Sequence, residues 1–345
     1  MRLRRCAAGA IGLLALLPLV TACGEDEGGV AIGDVVPARQ DSQFSDGDRS
    51  WLNLPVGRLE VFLGEPTDRL EADETRQLEA VDAPDGGSFV PLTWQYDAET
   101  FGRNAQYLGE EVTPRVDLEV DGASYRLPAP DQTGEGASSF YVLVSGNTDT
   151  PSLEIDFDGV TQTLDLSTGE RDEGAASALY DLKPTARKTR SCTEQAVFKP
   201  ANPRRLPSFR CSITAPVLLP YAAGEWAPEG TSWLAVTVTT SLLRYDQIGA
   251  DLRSGATYYA AGADTTFRKG GKEPALVLED RGRTECPDAN AGCTTSHHVI
   301  FESEGAKSDR LVTTQKLKLA LASTMGGADS PDDQVVTATI TSRLR

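Results

Sequence analysis

A period of two in the apolar residues narrows the folds open to this chain more than any other feature. Between residues 90 and 96, Val90, Leu92, Trp94 and Tyr96 alternate with Pro91, Thr93 and Gln95. Successive side chains of a strand point to opposite faces, so this spacing puts four large apolar groups on one side of a sheet. Residues 115–127 and 153–166 each hold two such runs, meeting at Asp121-Gly122 and at Asp158-Gly159. An Asp-Gly pair favours the type I′ turn, whose two positive φ angles and right-handed twist suit a two-residue hairpin. Two hairpins are therefore predicted with these pairs at their tips, and the chain is expected to be all-β and antiparallel.

The second half uses the same grammar. Residues 230–238 line up with 86–94 at a constant offset of 144, so that Leu234, Val236 and Val238 take the core places of Val90, Leu92 and Trp94. Residues 251–258 echo 117–125, one residue shorter before the glycine. Strands expected at 297–301, 315–321 and 335–340 parallel the one at 140–144 and those after it. This pattern reads as a divergent internal duplication giving two tandem antiparallel β-sandwich domains. A length of 345 residues also exceeds one ordinary sandwich and suits two domains, each with a core of its own. The expected organisation is an export signal at 1–22, a flexible acidic stalk at 23–49, a first sandwich at 50–168, a basic Pro-containing linker at 169–207 and a second sandwich at 208–345.

The amino-terminal residues carry an address. Arg2, Arg4 and Arg5 precede an apolar run at 6–20 broken by Pro18, and Thr21 and Ala22 follow, which are the three zones of an export signal. The run is too short to span a bilayer as a helix, and Glu25, Asp26 and Glu27 come directly after it. Val20-Thr21-Ala22-Cys23 resembles the lipobox of bacterial lipoproteins. That resemblance implies cleavage before Cys23, diacylation of its thiol, and tethering to the extracytoplasmic face of the cell membrane. A diacyl group meets the need for more than one chain in lasting anchorage. The export route, general or twin-arginine, stays open.

With Cys6 lost with the signal and Cys23 acylated, four thiols remain, at Cys192, Cys211, Cys286 and Cys293. Outside the cytoplasm they point to two disulfides; three connectivities are possible, and the short separations favour Cys192 with Cys211 and Cys286 with Cys293. A thiolate metal site would want close pairs two to four residues apart, and the four cysteines offer none.

The chain holds 33 basic and 51 acidic residues, a net charge of −18, which repels nucleic acid at long range. Against that background residues 183–210 form a cationic strip: Lys183, Arg187, Lys188, Arg190, Lys199, Arg204, Arg205 and Arg210 against the single acid Glu194. Pro184, Pro200, Pro203 and Pro207 argue for an extended course. The strip either balances the acidic faces of the domains it joins or docks an anionic partner, such as a wall polymer or lipid headgroup, or a protein of the cell envelope.

Residues 227–240, a glycine turn followed by a Trp-led strand of alternating Val and Thr, resemble the telokin-like, immunoglobulin-fold extracellular domains of actinobacterial and Gram-positive lipoproteins. The likeness runs over about 208–345 and more faintly over 50–168. It implies an antiparallel sandwich and little about activity.

Motifs for catalysis are sparse. His297 and His298 are adjacent, so on a strand they face opposite ways and cannot chelate one ion together. The Gly-x-Ser-x-Gly elbow of serine hydrolases, the phosphate-binding glycine loops and the spacing of an EF-hand across residues 329–333 are all missing from the sequence. Glu154, Asp156, Asp158 and Asp165 read as turn and solvated-face acids, although a glycosidase would need two such groups across a cleft. Of Trp51, Trp94, Trp226 and Trp233, the one in a Gly- and Pro-flanked turn, Trp226, is the candidate for exposure. The expectation is a non-catalytic binding or interaction module without a cofactor. Its alternatives are a carbohydrate-binding module using Trp226 and a carboxylate-based hydrolase.

Overall fold

The computed structural model describes residues 29–109, 112–132, 136–182, 188–200, 208–287, 292–304 and 310–344. They are nearly all β and form antiparallel sheets. The export signal and Cys23 lie outside the described residues, as do Lys183, Arg187, Arg204 and Arg205 of the cationic strip.

The first half contributes β1 (Val35–Pro37), β2 (Asp48–Leu54), β3 (Gly57–Leu63), β4 (Arg69–Leu70), β5 (Val81–Asp82), β6 (Gly87–Asp97), β7 (Arg115–Val120), β8 (Ala123–Arg126), β9 (Ala137–Ser145), β10 (Ser152–Phe157), β11 (Val160–Asp165) and β12 (Arg171–Asp172). One sheet runs β1-β9-β6-β3-β2 and a second β12-β11-β10-β7-β8, while β4 and β5 pair as a small hairpin. The alternation decides how these sheets meet. Val90, Leu92 and Trp94 of β6, with Leu59 and Val61 of β3, share one core with Val116, Leu118, Leu153, Ile155 and Leu164 of the other sheet. Each such side chain contributes about 1.5–3 kcal/mol by leaving water. Both predicted hairpin tips are present: Asp121 and Gly122 have φ of 49° and 79°, Asp158 and Gly159 of 52° and 79°. Two successive positive φ angles are what a type I′ turn requires.

The second half contributes β13 (Thr189–Ser191), β14 (Ala196–Lys199), β15 (Phe209–Thr214), β16 (Val217–Leu219), β17 (Tyr221–Ala222), β18 (Glu225–Trp226), β19 (Ser232–Leu242), β20 (Tyr245–Ile248), β21 (Gly255–Lys269), β22 (Leu276–Glu279), β23 (Cys293–Ser303), β24 (Arg310–Met325) and β25 (Asp333–Arg343). Its sheets run β13-β15-β19-β23-β22, with β16 also on β19, and β14-β25-β24-β21-β20. The order β2-β3-β6-β9 in one half thus matches β13-β15-β19-β23 in the other, and β7-β10-β11 matches β21-β24-β25. Leu234, Val236 and Val238 sit in the second core as Val90, Leu92 and Trp94 sit in the first. Gly86 and Gly230, which lead into these strands, have φ of 76° and 75°. The edges differ: β8 follows β7 in the chain, whereas β20 precedes β21. The expected echo between 117–125 and 251–258 does not mark equivalent elements. Residues 117–120 are strand, but Asp251 accepts from the N–H groups of Arg253 and Ser254 and closes a loop.

Two boundaries move. Residues 29–49, expected as stalk, are built into the first half: β1 pairs with β9, and Val36 and Ala38 pack with Leu70, Phe89, Tyr141 and Leu143. The cause is that β6 and β9 are apolar on both faces, so their outer face also needs cover. Residues 169–182 and 188–200, expected as linker, belong to the two halves in turn. β12 extends the sheet of β11, and the Trp51 ring lies 3.9 Å from the Arg171 guanidinium and 4.3 Å from that of Arg58. Tyr180 Oη accepts from the Asn53 N–H at 3.1 Å and donates to Gln162 at 2.7 Å, fixing the 3-10 turn Gly174–Leu179 against β2. β13 and β14 are edge strands of the second half.

The halves meet through side chains and backbone. Tyr107, fully buried, packs with Leu219, Trp233, Ala235 and Ile300 on the outer face of β19 and β23. The carbonyls of Tyr107 and Leu108 accept from the N–H groups of Ala223 and Gly224 at 2.9 and 2.5 Å. In return Tyr221 enters the first core beside Phe157, and its hydroxyl donates to Asp158 at 3.0 Å. Gly109, at φ 92°, allows this approach, since a Cβ there would stand 3.0 Å from Gly224 N.

Candidate functional site

Part of the outer face of β13, β15, β19 and β23 is a field of hydroxyls, because Thr189, Ser191, Ser212, Thr214, Thr237, Thr239, Ser241, Thr294 and Ser296 fall at alternate positions of these strands. Cross-strand register aligns them in rows: Thr189, Thr214, Thr237 and His298; then Ser191, Ser212, Thr239 and Ser296; then Arg210, Ser241 and Thr294. The first row is closed by the other half. Gln106 donates to Thr237 at 2.9 Å, the Tyr107 hydroxyl lies 3.1 Å from the same oxygen, and the Tyr107 ring stands edge-on to His298 at 5.6 Å. Thr189 at the open end of that row, with Ser191, Ser212 and Thr239 of the second and Arg210 and Ser241 of the third, lines a groove of about 560 Å³. Thr239 and Ser296 pair at 3.0 Å, and Thr294 donates to Ser241 at 3.0 Å, while Thr193 holds the N–H of Cys211 at 2.9 Å.

Two arginines of the cationic strip border this groove. Arg210 is exposed and stands in the hydroxyl row. Arg190, half-buried on the edge strand, donates to the carbonyl of Arg343 on the other sheet. Neither has an acidic partner among the described residues. Lys188 and Lys199 are exposed, the latter on β14 away from the groove residues. The described part of the strip therefore divides between β13 and the residue before it, β14 and β15 instead of forming one continuous surface.

The cysteines pair as the spacing favoured, Cys192 with Cys211 and Cys286 with Cys293. The first pair ties the segment after β13 to β15 directly beneath the groove. Trp226 departs from the exposed reading: it is half-buried at the joint, its indole N–H donates to the carbonyl of Phe157 at 3.0 Å, and its ring meets Phe157 and Tyr221 edge-on. A loop tryptophan on the rim of a core finds more contact area by folding inward than by standing in water.

The histidines face opposite ways, as adjacent strand residues must. His297 lies on the core side against Phe267, and burial lowers its pKa, with the Glu279 carboxylate opposing. His298 Nδ1 lies 3.0 Å from the Thr237 hydroxyl, and its Nε2 is 3.9 Å from Asp280. That hydroxyl, imidazole and carboxylate make a line, but Thr237 is buried under Tyr107 and Gln106, so the group serves the joint. Among the acids, Asp156 accepts from the N–H of Gly159 at 3.3 Å and Asp158 holds Tyr221, while Asp165 is held below the usual carboxylate range, first by Ser167. Among the described residues no group of three or more His, Cys, Asp or Glu is placed to hold a metal ion, and no helix is long and apolar enough to cross a membrane.

No family model matches the chain, and no curated protein does. A conserved domain protein from Bacillus anthracis aligns over 88% of this chain and 94% of its own at 7% identity, with a TM-score of 0.24, which carries no argument about fold or function.

Proposed function

We propose that the chain is a lipid-anchored lipoprotein of the extracytoplasmic membrane face that acts as a non-catalytic interaction module, and that the groove bordered by Arg190 and Arg210 is its contact surface. In this reading Cys23 carries the diacyl group, and each half is an immunoglobulin-like sandwich. The repeated central strand order of the two halves supports the tandem arrangement. The lipobox-like Val20-Thr21-Ala22-Cys23 supports the address. One observation carries the function: a hydroxyl-lined groove in which the exposed Arg210 guanidinium stands without an acidic partner among the described residues, in a chain of net charge −18. Cations left unpaired in so acidic a protein are available to a partner. Placement of Thr237 and His298 within the joint supports a binding role over a hydrolytic one, and the engagement of Trp226 between the halves moves a glycan platform off that residue.

Two measurements test the reading. The full chain is expected in the membrane fraction and Cys23→Ala in the soluble one; equal distribution of both removes the anchor. Detergent-solubilised full chain is expected to sediment with protein-stripped cell envelope, and Arg190→Gln/Arg210→Gln to stay in the supernatant. Equal sedimentation of the two would remove the groove from the function.

A further inference from the structure

We infer that the groove takes a phosphodiester-linked polyol chain, a polymer alternating anionic phosphate with hydroxyl-bearing carbon units. The inference rests on the reading of the groove as the contact surface and adds the chemistry of what enters it. Arg210 is the first reason. It makes no hydrogen bond or ion pair among the described residues, and its register neighbours are Ser241 and Thr294, not carboxylates. A free guanidinium presents a planar fork of donors that fits two phosphate oxygens at once. Arg190, on the edge strand of the same groove, is in register with the core residue Ile213 and turns its guanidinium to the Arg343 carbonyl of the other sheet, which leaves Arg210 as the cation of the hydroxyl face. One exposed guanidinium set among hydroxyls suits a phosphate flanked by hydroxyl-bearing units.

The floor supplies the second reason. Thr189 and Ser212 have hydroxyls without a partner among the described residues, whereas Thr239 and Ser241 already pair across strands. A hydroxyl both donates and accepts, so this floor suits a ligand that is itself rich in hydroxyls. Among the described residues no aromatic ring lines the groove, so recognition falls to the hydroxyls and the Arg210 guanidinium. A volume of about 560 Å³ holds several polyol units.

The third reason separates a free polymer from a lipid headgroup. Among the described residues no large apolar side chain lines the groove, and a surface that seats itself in a bilayer buries apolar groups at the interface.

The test is titration of detergent-solubilised full chain with synthetic poly(glycerol phosphate) of about ten units, against neutral polyglycerol of equal length and against vesicles containing phosphatidylglycerol. Binding of the charged polymer is expected to fall at least about tenfold in Arg210→Gln, the loss of a charge-assisted phosphate contact, and severalfold between 50 and 200 mM salt. Thr189→Ala/Ser212→Ala is expected to weaken it severalfold with the salt dependence retained. Exposure of Arg210 keeps folding out of the comparison, and an unchanged urea midpoint confirms it. Equal binding of the neutral polymer, or equal affinity in Arg210→Gln, overturns the inference. Arg210-dependent binding to the vesicles alone overturns it in favour of a lipid headgroup. Arg210-dependent retention on cell envelope without binding of the charged polymer would overturn this ligand class while leaving the broader function standing.

Discussion

Burial holds the imidazole of His297 toward its neutral form, with Glu279 across the β22–β23 register as the weaker opposing influence. A folded pKa below the ordinary 6.5 means that the unfolded chain binds the proton more readily. The contribution of His297 is therefore complete above about pH 6.5 and is lost as pH falls through that value toward the folded one. The urea midpoint is expected to drop between about pH 7.5 and 5.5, and to drop less in His297→Gln. Identical slopes in the two proteins would show that the carboxylates alone set the acid dependence. Neighbouring residues illustrate how a pair of letters divides its labour: His297 faces the core, and His298, one position on, faces Tyr107. Strand alternation made that division legible in the sequence, but nothing local to His298 announced that its partner would come from a turn nearly two hundred positions earlier.

Among the elements, long strands with sustained alternation and the two Asp-Gly tips could be read directly, because each carries its own local signal. Short edge strands could not. β1 and β14 have three and four residues, too few to establish a period, and they form because the strands beside them offer unpaired backbone and an uncovered apolar face. The hydroxyl rows were present in the alternation of Thr237, Thr239 and Ser241, yet polar positions of a strand usually face water and draw no notice. Arg210 and the cysteines around the groove were visible, whereas their convergence with β19 needed the sheet. The Cys192–Cys211 bond, across nineteen positions, fixes the edge on which the groove stands. Its replacement in Cys192→Ser/Cys211→Ser is expected to cost about 3 kcal/mol, measured by urea unfolding under oxidising conditions. A loss near zero would mean that β13 is held by its backbone pairing alone.

Across the whole molecule, two cores are joined by exchanged aromatic residues, Tyr107 going one way and Tyr221 the other. Such an exchange couples the unfolding of the halves, because opening either exposes a ring that the other had buried. Tyr107→Ala removes a fully buried side chain, and about 3–5 kcal/mol is expected to go with it. Calorimetry of the wild type is expected to show one transition, and that of Tyr107→Ala two. A single transition in the variant would mean that Trp226 and Tyr221 suffice to couple the halves.

Asp158 sits at the tip of a first-half hairpin and also receives the phenol of Tyr221 from the second half. The other Asp-Gly tip differs: Asp121 accepts the N–H of Asn147, within its own half. The two tips therefore face unequal constraint during divergence. At position 121 a replacement has to satisfy a turn and one nearby amide. At position 158 it has to satisfy a turn and a neighbour that comes from the other half, so glycine, which the backbone would accept, removes the oxygen that the phenol needs. Two identical dipeptides, each ordinary in isolation, are thus expected to drift at different rates, and the slower one marks where the duplicated halves became dependent on each other.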